Sequence, residues 1–335
     1  MSTPTNRRRF LTALGAAGAA LALGSPRLSL GETNPRSRQV FDDLEFARGF
    51  KVVDGAGTLG VLRLPVPGSS SAPRDASPSW ALAQHNSRYD LTRATLTVEE
   101  NRSIASTPGQ RVALERTPSG ELVLALEVAT NNEYLAPRKN GEPWIHLLLV
   151  QDLPPERAVA IGEIDSLVFS CDARVRFWER LMSETQFDSA IHATQTSVYF
   201  VITNANPDSP DYRDYIWFGI SFFDDRYEVQ SQYVEIDGDP RTIGTGKLIY
   251  RLGDQKTIDD LMSGVNPYSL NWVRVELDIA KRVDDMLAAA RERGMLTQTK
   301  RDDLKLVHLN FGWETPGTYR SALEIKNLSL VATYR

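Results

Sequence analysis

The chain has 335 residues, 41% hydrophobic and 24% charged, which is the balance of an ordinary soluble globular protein. Its formal net charge is -5, and without the four arginines among residues 1–31, where no acid occurs, it falls to -9. Such an acidic body argues against nucleic acid and anionic lipid surfaces as partners. The 6 Trp, 11 Tyr and 12 Phe favour β-strands and flat, stackable surfaces.

The N-terminal residues have the pattern of an export signal. Arg7, Arg8 and Arg9 precede an apolar, small-residue run from Leu11 to Gly24, which is too short to span a membrane. The order Arg7-Arg8-Arg9-Phe10-Leu11 resembles the twin-arginine consensus, and this resemblance implies export of an already folded protein by the twin-arginine machinery. We therefore expect residues 1–31 to be a signal peptide and the protein to be periplasmic or secreted, with no membrane span after cleavage.

Cys171 is the only cysteine, so no intrachain disulfide can form despite the oxidising destination. It follows the apolar run Leu167-Val168-Phe169, a context that predicts a buried, unreactive thiol.

Short segments with apolar residues at every second position recur along the body and predict strands. In chain order they are residues 58–66, 91–98, 111–116, 121–128, 144–150, 164–171, 174–182, 198–203, 215–223, 226–236, 247–250, 272–277, 306–311 and 322–332. One stretch, Ile279 to Arg293, has helical periodicity instead, with Asp278 as its N-cap and Gly294 just past its end. The turn Thr117-Pro118-Ser119-Gly120 predicts a hairpin, and Asp224-Asp225 is short enough to join residues 215–223 and 226–236 as a second one.

These elements alternate with turns and never with helices, so the βαβ pattern of a parallel sheet does not occur. We predict an all-β fold, an antiparallel two-sheet β-sandwich of the jelly-roll, concanavalin-like type, with one amphipathic helix near the C-terminus. No linker or internal repeat divides the body, and residues 32–335 are expected to form a single domain.

Several predicted strands have one apolar face and a second face with indoles, amides, imidazoles, carboxylates and guanidinium groups. This mixture suits sugars, whose flat apolar faces stack on indoles and whose hydroxyls need planar polar partners. The sequence leaves open whether the strands share one sheet. The candidate ligand-binding residues are Trp144, His146, Arg176, Trp178, Trp217, Gln230, His308, Asn310, Trp313 and Glu314.

Two of these residues are also candidates for catalysis. Glu314 follows Trp313, and apolar surroundings raise the pKa of a carboxyl enough to make it a general acid; binding a sugar hydroxyl and flanking a turn are the alternatives. His308 is the second candidate, as a base beside Asn310. The segment Glu163-Ile164-Asp165 resembles the start of the E-x-D-x-x-E signature of laminarinase-like glycosidases, but Val168 replaces its last carboxylate, which excludes that active site.

No pair of histidines has metal-ligand spacing, and no dinucleotide or phosphate motif occurs, so we predict no zinc site and no organic cofactor. Asp224-Asp225 and the turn Asp237-Gly238-Asp239 leave structural calcium open, although neither has the spacing of a recognised calcium loop.

The C-terminal run Gly312-Trp313-Glu314, a turn, and Ala322 to Leu330 resembles the last strands of carbohydrate-binding jelly rolls. Such domains often carry a calcium-binding Asp where this chain has Asn327. The resemblance implies a carbohydrate ligand, and the leading hypothesis is an exported protein that binds an oligo- or polysaccharide on one sheet face. One alternative is a polysaccharide lyase or glycoside hydrolase on the same fold. A lyase would use a His or Tyr base, with His308 or a nearby Tyr as candidates, and Arg and amide side chains that neutralise a uronate, for which Arg174, Arg176, Gln230 and Asn310 are candidates. The other alternative is a non-catalytic structural protein of the envelope.

Overall fold

A computed structural model describes residues 36–335, apart from residues 56, 70–75, 239–243, 254 and 263–266. The predicted signal peptide lies outside the described residues, as does Asp239. Residues Arg36–Arg335 form one compact unit. In the part of the chain that is described, no helix has the length and apolar character needed to cross a bilayer.

Eighteen strands occur among the described residues. They are β1 Ser37–Gln39, β2 Phe50–Asp54, β3 Gly57–Leu62, β4 Trp80–Ala83, β5 Thr95–Val98, β6 Arg102–Ser106, β7 Gln110–Arg116, β8 Leu122–Ala129, β9 Ile145–Asp152, β10 Val159–Ala160, β11 Ile164–Arg180, β12 Gln195–Asn204, β13 Tyr215–Asp224, β14 Tyr233–Ile236, β15 Leu248–Leu252, β16 Val273–Asp278, β17 Leu304–Thr315 and β18 Tyr319–Tyr334. Two α-helices accompany them, α1 Gln255–Met262 and α2 Val283–Glu292.

The strands form two sheets. The smaller sheet has the order β16-β11-β18-β8-β7-β6-β5, with β1 also paired to β18. The larger has the order β14-β15-β13-β12-β17-β9-β4-β2-β3, with β10 also paired to β17. The predicted all-β sandwich is therefore confirmed, but two pairs, β13 with β15 and β2 with β4, are parallel where the sequence predicted only antiparallel pairs.

The two C-terminal strands are central to different sheets. Strand β17 lies between β12 and β9 in the larger sheet, and β18 lies between β11 and β8 in the smaller one. Their inner residues, among them Leu309 and Phe311 on β17 and Leu323 and Ile325 on β18, are buried in the common core. The short connection after Thr315 thus carries the chain from one sheet to the other instead of closing a hairpin.

The predicted helix near the C-terminus is confirmed, with a 3-10 turn at Ile279–Arg282 before α2. The Asp278 carboxylate accepts hydrogen bonds from the Ala280 and Leu167 backbone N–H groups, so it caps the helix and ties it to β11. Val283, Met286, Leu287 and Ala290 form the predicted buried stripe. Helix α1 was missed, because its eight residues provide too short a periodic pattern.

Strand β11 is continuous through Asp172 and Ala173, where the sequence suggested a break, but its pairing with β18 shifts between Val175 and Phe177. This β-bulge at Arg176 reverses the side on which later side chains lie. Trp178 consequently packs against the core and against Phe223, with ring centroids 5.8 Å apart. The prediction that Trp178 shares an outer face with Arg176 is therefore wrong.

The predicted strand 226–236 is also largely wrong. Only β14 is extended, and it pairs with β15 at the edge of the larger sheet instead of forming a hairpin with β13. Arg226 donates hydrogen bonds from its side chain to Asp224 and holds the chain in a turn directly after β13. Strand β15 therefore pairs with β13 in place of the segment that follows Asp224.

Candidate functional site

Four rows of side chains cross the middle of the larger sheet on its outer face, the side away from the smaller sheet. The strand register places alternate residues of neighbouring strands side by side. We call them the tryptophan row (Trp217, Val201, His308, Asp152), the tyrosine row (Arg251, Gly219, Tyr199, Asn310, Val150), the floor row (Ser221, Ser197, Gly312, Leu148, Ala83) and the glutamate row (Gln195, Glu314, His146).

The floor row consists mostly of small residues and is nevertheless almost inaccessible: Ser221 is 2% exposed, Ser197 5% and Leu148 6%. The tyrosine and glutamate rows on either side have much longer side chains. These longer side chains limit the exposure of the floor row, and because its own side chains are mostly short, we define the strip along it, between the two rows, as the groove. It crosses five strands, which at a spacing of about 4.8 Å makes it roughly 19 Å long.

The side chains of the glutamate row are fixed by a chain of hydrogen bonds. The Gln195 amide donates to the Glu314 carboxylate at 2.9 Å, and its oxygen accepts from Arg226 at 3.1 Å. Arg226 is in turn paired with the buried Asp224 carboxylate at 2.6 Å. Because one Glu314 oxygen is occupied by Gln195, the other remains for a ligand or for His146.

His146 faces that second oxygen across a gap. Its Nδ1 lies 3.0 Å from the Trp144 carbonyl oxygen, which can only accept, so Nδ1 carries the proton. The pKa of His146 is lowered, chiefly by burial of the ring. The imidazole is therefore neutral at neutral pH, and its Nε2 is an acceptor. This Nε2 lies 4.0 Å from Glu314 Oε1. A sugar hydroxyl or a water molecule beside His146 Nε2 and Glu314 Oε1 can therefore donate a hydrogen bond to either of these acceptors.

Tyr199 dominates the tyrosine row, and Gly219 makes room for it. A Cβ on Gly219 would lie 2.3 Å from Cδ1 of Tyr199, so the ring lies directly over the glycine. Burial raises the pKa of Tyr199 to about 12, although the nearby Arg251 guanidinium and Ser197 hydroxyl act in the opposite direction. The phenol is therefore protonated at neutral pH and can donate a hydrogen bond into the groove.

The tryptophan row begins beyond the tyrosine row. His308 Nδ1 lies 2.6 Å from the Asp152 carboxylate, and this hydrogen bond is the largest cause that lowers the pKa of Asp152. The Trp217 indole meets the His308 ring edge-on at 5.8 Å and the Tyr199 ring at 6.4 Å. The row thus combines an aromatic surface with a histidine whose Nε2 has no hydrogen-bond partner among the described residues.

Five of the ten predicted ligand-binding residues share this outer face. They are His146, Trp217, His308, Asn310 and Glu314. Trp144 lies just before β9, 39% exposed and close to the Arg138 guanidinium, and its carbonyl oxygen contacts His146. The two catalytic candidates are six residues apart on β17, roughly 20 Å along the strand, so Glu314 and His308 cannot act on the same bond.

The other four predicted residues lie elsewhere. Trp313 is fully buried and donates its indole N–H to the Leu126 carbonyl oxygen, so its ring is not available to a ligand. Trp178 faces the core, as described above. Arg176 lies on the outer face of the smaller sheet, 3.6 Å from Glu324. Gln230 is 5% exposed in a loop and donates to the Tyr227 carbonyl oxygen.

The predicted site residues did not include Asp152, Tyr199, Gln195 or Arg251, all of which contribute to this face. Tyr199 lies between the inward-facing Val198 and Phe200, and the same alternation argument would have placed it on the outer face. Arg251 lies one residue beyond the predicted end of its strand. Gln195 lies before the predicted start of β12, where Thr194 to Ser197 gives no apolar alternation.

No cluster of three or more metal-ligating side chains occurs among the described residues. Two of the carboxylates considered as ligands of a structural calcium ion have protein partners. Asp224 pairs with Arg226, and Asp225 accepts hydrogen bonds from the Tyr319 hydroxyl and from the Thr194 backbone N–H. Asn327 donates its amide N–H to Asp172.

No protein-family model and no curated protein matches the chain. Among solved structures, it is similar to a family 12 xyloglucanase from Bacillus licheniformis, with 10% identity over 71% of this chain and 97% of that one and a TM-score of 0.38. It is also similar to the endoglucanase cel12A of Rhodothermus marinus (11%, 70% and 93%, 0.36) and to the family 11 xylanase of Neocallimastix patriciarum (8%, 71% and 95%, 0.36). Likeness at this level carries no argument about the site.

Proposed function

We propose that the protein binds an oligo- or polysaccharide on the outer face of its larger sheet, with the glycan chain lying along the floor row. The observation that carries this proposal is the set of polar groups along the groove. An ordered carboxylate, an imidazole, a phenol and an amide lie beside the mostly small, buried residues of the floor row.

These groups have the chemistry that a sugar needs. Glu314 and His146 Nε2 accept hydrogen bonds from sugar hydroxyls, while the Tyr199 hydroxyl and the Asn310 amide donate them. Trp217, beside the groove, and Trp144, exposed near His146, provide apolar surfaces for the carbon–hydrogen face of a pyranose ring. Because Gln195 and Arg226 hold Glu314 in place, little side-chain freedom is lost on binding.

The test is a glycan array followed by calorimetry of the Trp217→Ala variant. We expect it to bind the selected glycan at least tenfold more weakly, because loss of a stacking aromatic removes a large apolar contact. Trp272→Ala is the matched control. Trp272 lies between Arg174 and Lys326, which belong to the smaller sheet, so its loss should leave the affinity unchanged. If the wild type, Trp217→Ala and Trp272→Ala bind the glycan with equal affinity, the proposal is contradicted.

A lyase is the second candidate, and one observation favours it over a hydrolase. Hydrolases of the common type need two carboxylates on opposite sides of the sugar bond, whereas in the described part of the groove Glu314 faces a neutral imidazole and a phenol. A base that removes a proton next to a uronate carboxyl, with return of a proton to the departing oxygen, would use such groups. Absorbance of an unsaturated product, lost in Glu314→Gln, would reveal this activity, and reducing-end assays would reveal hydrolysis.

We also propose that the protein acts outside the cytoplasm, after export by the twin-arginine machinery. The order of residues 7–11 supports this route. Cell fractionation of the wild type and of an Arg7→Lys, Arg8→Lys variant tests it: the wild type should appear in the periplasm or medium, and the variant should accumulate in the cytoplasm.

A further inference from the structure

Arg251, at the side of the groove, is a cation that has no anionic partner among the described residues. It lies on β15 opposite Gly219, so that only the glycine separates it from Tyr199 in the tyrosine row. Its guanidinium lies over the Tyr233 ring, 5.3 Å from the centroid, and close to the Tyr199 hydroxyl. No carboxylate of the described residues lies within ion-pair distance of it. Its Nε atom is buried and has no hydrogen-bond partner.

The other cations near this face are either paired or exposed to water. Lys51 and Lys305 have no ion pair among the described residues, but both are exposed. Arg226 is 2.6 Å from Asp224, and Lys247, near Tyr215, is 2.7 Å from Asp214. The His308 imidazole is hydrogen-bonded to Asp152. A guanidinium kept partly out of water without an anionic partner is costly, and native proteins satisfy most such buried donors. Arg251 is therefore the position on this face where the binding of an external anion would be most favourable.

The surroundings of Arg251 suit an oxyanion better than a sugar hydroxyl. A guanidinium holds a planar carboxylate through two parallel N–H···O bonds, which lysine cannot do. Asn310 lies across Tyr199 in the same row, and its amide has no hydrogen-bond partner among the described residues. Glu314, the carboxylate of the glutamate row, already accepts from Gln195 and forms no ion pair with Arg251.

We infer that the glycan of this groove is acidic and that Arg251 binds its oxyanion, with Tyr199 and Asn310 donating further hydrogen bonds. The inference rests on the proposed function and specifies the chemical class of its ligand. The oxyanion is either the carboxylate of a uronic acid or a sulfate ester. Both have the same negative oxygens, and the experiment separates them.

The experiment measures affinity by calorimetry for four polymers: polygalacturonate, the same polymer after reduction of its carboxyls to alcohols, dextran sulfate and dextran. We expect the wild type to bind one acidic polymer and to bind its uncharged counterpart about ten- to a hundredfold more weakly, the range expected for hydrogen bonds to a charged group. Tight binding of polygalacturonate assigns a carboxylate, and tight binding of dextran sulfate assigns a sulfate.

Two variants locate the contact. Arg251→Gln should lose the same ten- to hundredfold for the acidic polymer and bind the uncharged one as the wild type does. Arg251→Lys, which keeps the charge but not the fork of donors, should fall between them. The control is Arg176→Gln on the smaller sheet, which should leave both affinities unchanged. Thermal unfolding of each variant shows whether the fold is intact.

The outcomes also separate the two proposals. If an uncharged polymer binds as tightly as its acidic counterpart and Trp217→Ala abolishes both, the acidic ligand is wrong while the glycan site stands. If Arg251→Gln binds the acidic polymer as the wild type does, and remains folded, the inference is likewise overturned. If no glycan of the array or of this panel binds, both proposals fail together.

Discussion

At the scale of single residues, the groove depends on the pair Gly219 and Tyr199. The Tyr199 ring covers the glycine and fills the space that a side chain at position 219 would need. The Tyr199 ring lies where a Cβ on Gly219 would be, and this brings the phenol near Arg251, Ser197 and Glu314. The glycine is therefore needed for the geometry of the neighbouring residue and not for an unusual backbone conformation of its own.

The variant Gly219→Ala tests this relation. We expect a loss of about 1–3 kcal/mol in the free energy of unfolding, because the new methyl group forces the ring off its position, together with weaker glycan binding. Urea denaturation measures the first and calorimetry the second. In a Tyr199→Ala background the same substitution should cost less. Part of the loss should remain, because a Cβ at Gly219 would still lie 2.7 Å from the Val198 carbonyl oxygen.

Gly55→Ala is the matched control. No atom lies within 4 Å of a Cβ built there, so the free energy of unfolding should change by no more than about 0.5 kcal/mol. Equal losses for Gly219→Ala with and without Tyr199 would contradict the account of the ring's position.

At the scale of single elements, Asp278 joins a strand to a helix. Its carboxylate accepts from the Ala280 N–H at 3.2 Å, which caps the turn before α2, and from the Leu167 N–H on β11 at 3.1 Å. One side chain thus satisfies backbone donors of two elements.

Asp278→Ala should lower the free energy of unfolding by about 1–2 kcal/mol, the upper part of the range for loss of an N-cap. Asp278→Asn keeps an acceptor oxygen and should lose less. Urea denaturation of both variants provides the comparison, and an alanine variant as stable as the wild type would show that neither hydrogen bond matters. Glycan affinity should not change, since α2 contributes no side chain to the groove.

Strand alternation predicted the site well where a strand was regular and failed where it was not. On β17, alternation from the outer candidates His308 and Asn310 implies that Val307, Leu309 and Phe311 lie inside. This holds for Leu309 and Phe311, but a register shift near Val307 puts Leu306 in the core instead of Val307. The bulge at Arg176 turned Trp178 inward by the same effect.

Trp313 shows a different source of error. The sequence suggested that β17 ends near Phe311, which made Gly312-Trp313-Glu314 look like an exposed junction. The strand continues to Thr315, so the alternation of Leu309 and Phe311 extends to Trp313 and buries it, while Glu314 remains outside. Knowing the end of the strand would have been enough to predict both positions.

At the scale of the whole molecule, the fold class followed from the sequence but the order of strands did not. Alternation and turns gave a β-sandwich with a C-terminal helix, as observed. Which strands are neighbours depends on contacts between distant segments, such as β9 with β17, and local pattern has no information about them. The groove is a property of this order, because its rows take residues from strands that are far apart in sequence.

For the same reason, Arg251 and Tyr199 could not be connected with Glu314 from sequence alone. Tyr199, Arg251 and Glu314 are more than fifty residues apart in the chain, and the parallel pairing of β13 with β15 brings Arg251 into the row. A hairpin after Asp224, as the sequence suggested, would have placed a different strand there.

The most direct test of the account is a crystal structure of the protein with a bound oligosaccharide of several sugar units, chosen from the array and polymer panel. It should show the sugar chain crossing the strands along Ser197 and Gly312, with hydroxyls at hydrogen-bond distance from Glu314 and Tyr199 and an acidic group on Arg251. A sugar chain bound instead on the outer face of the smaller sheet, beside Arg176, would contradict it.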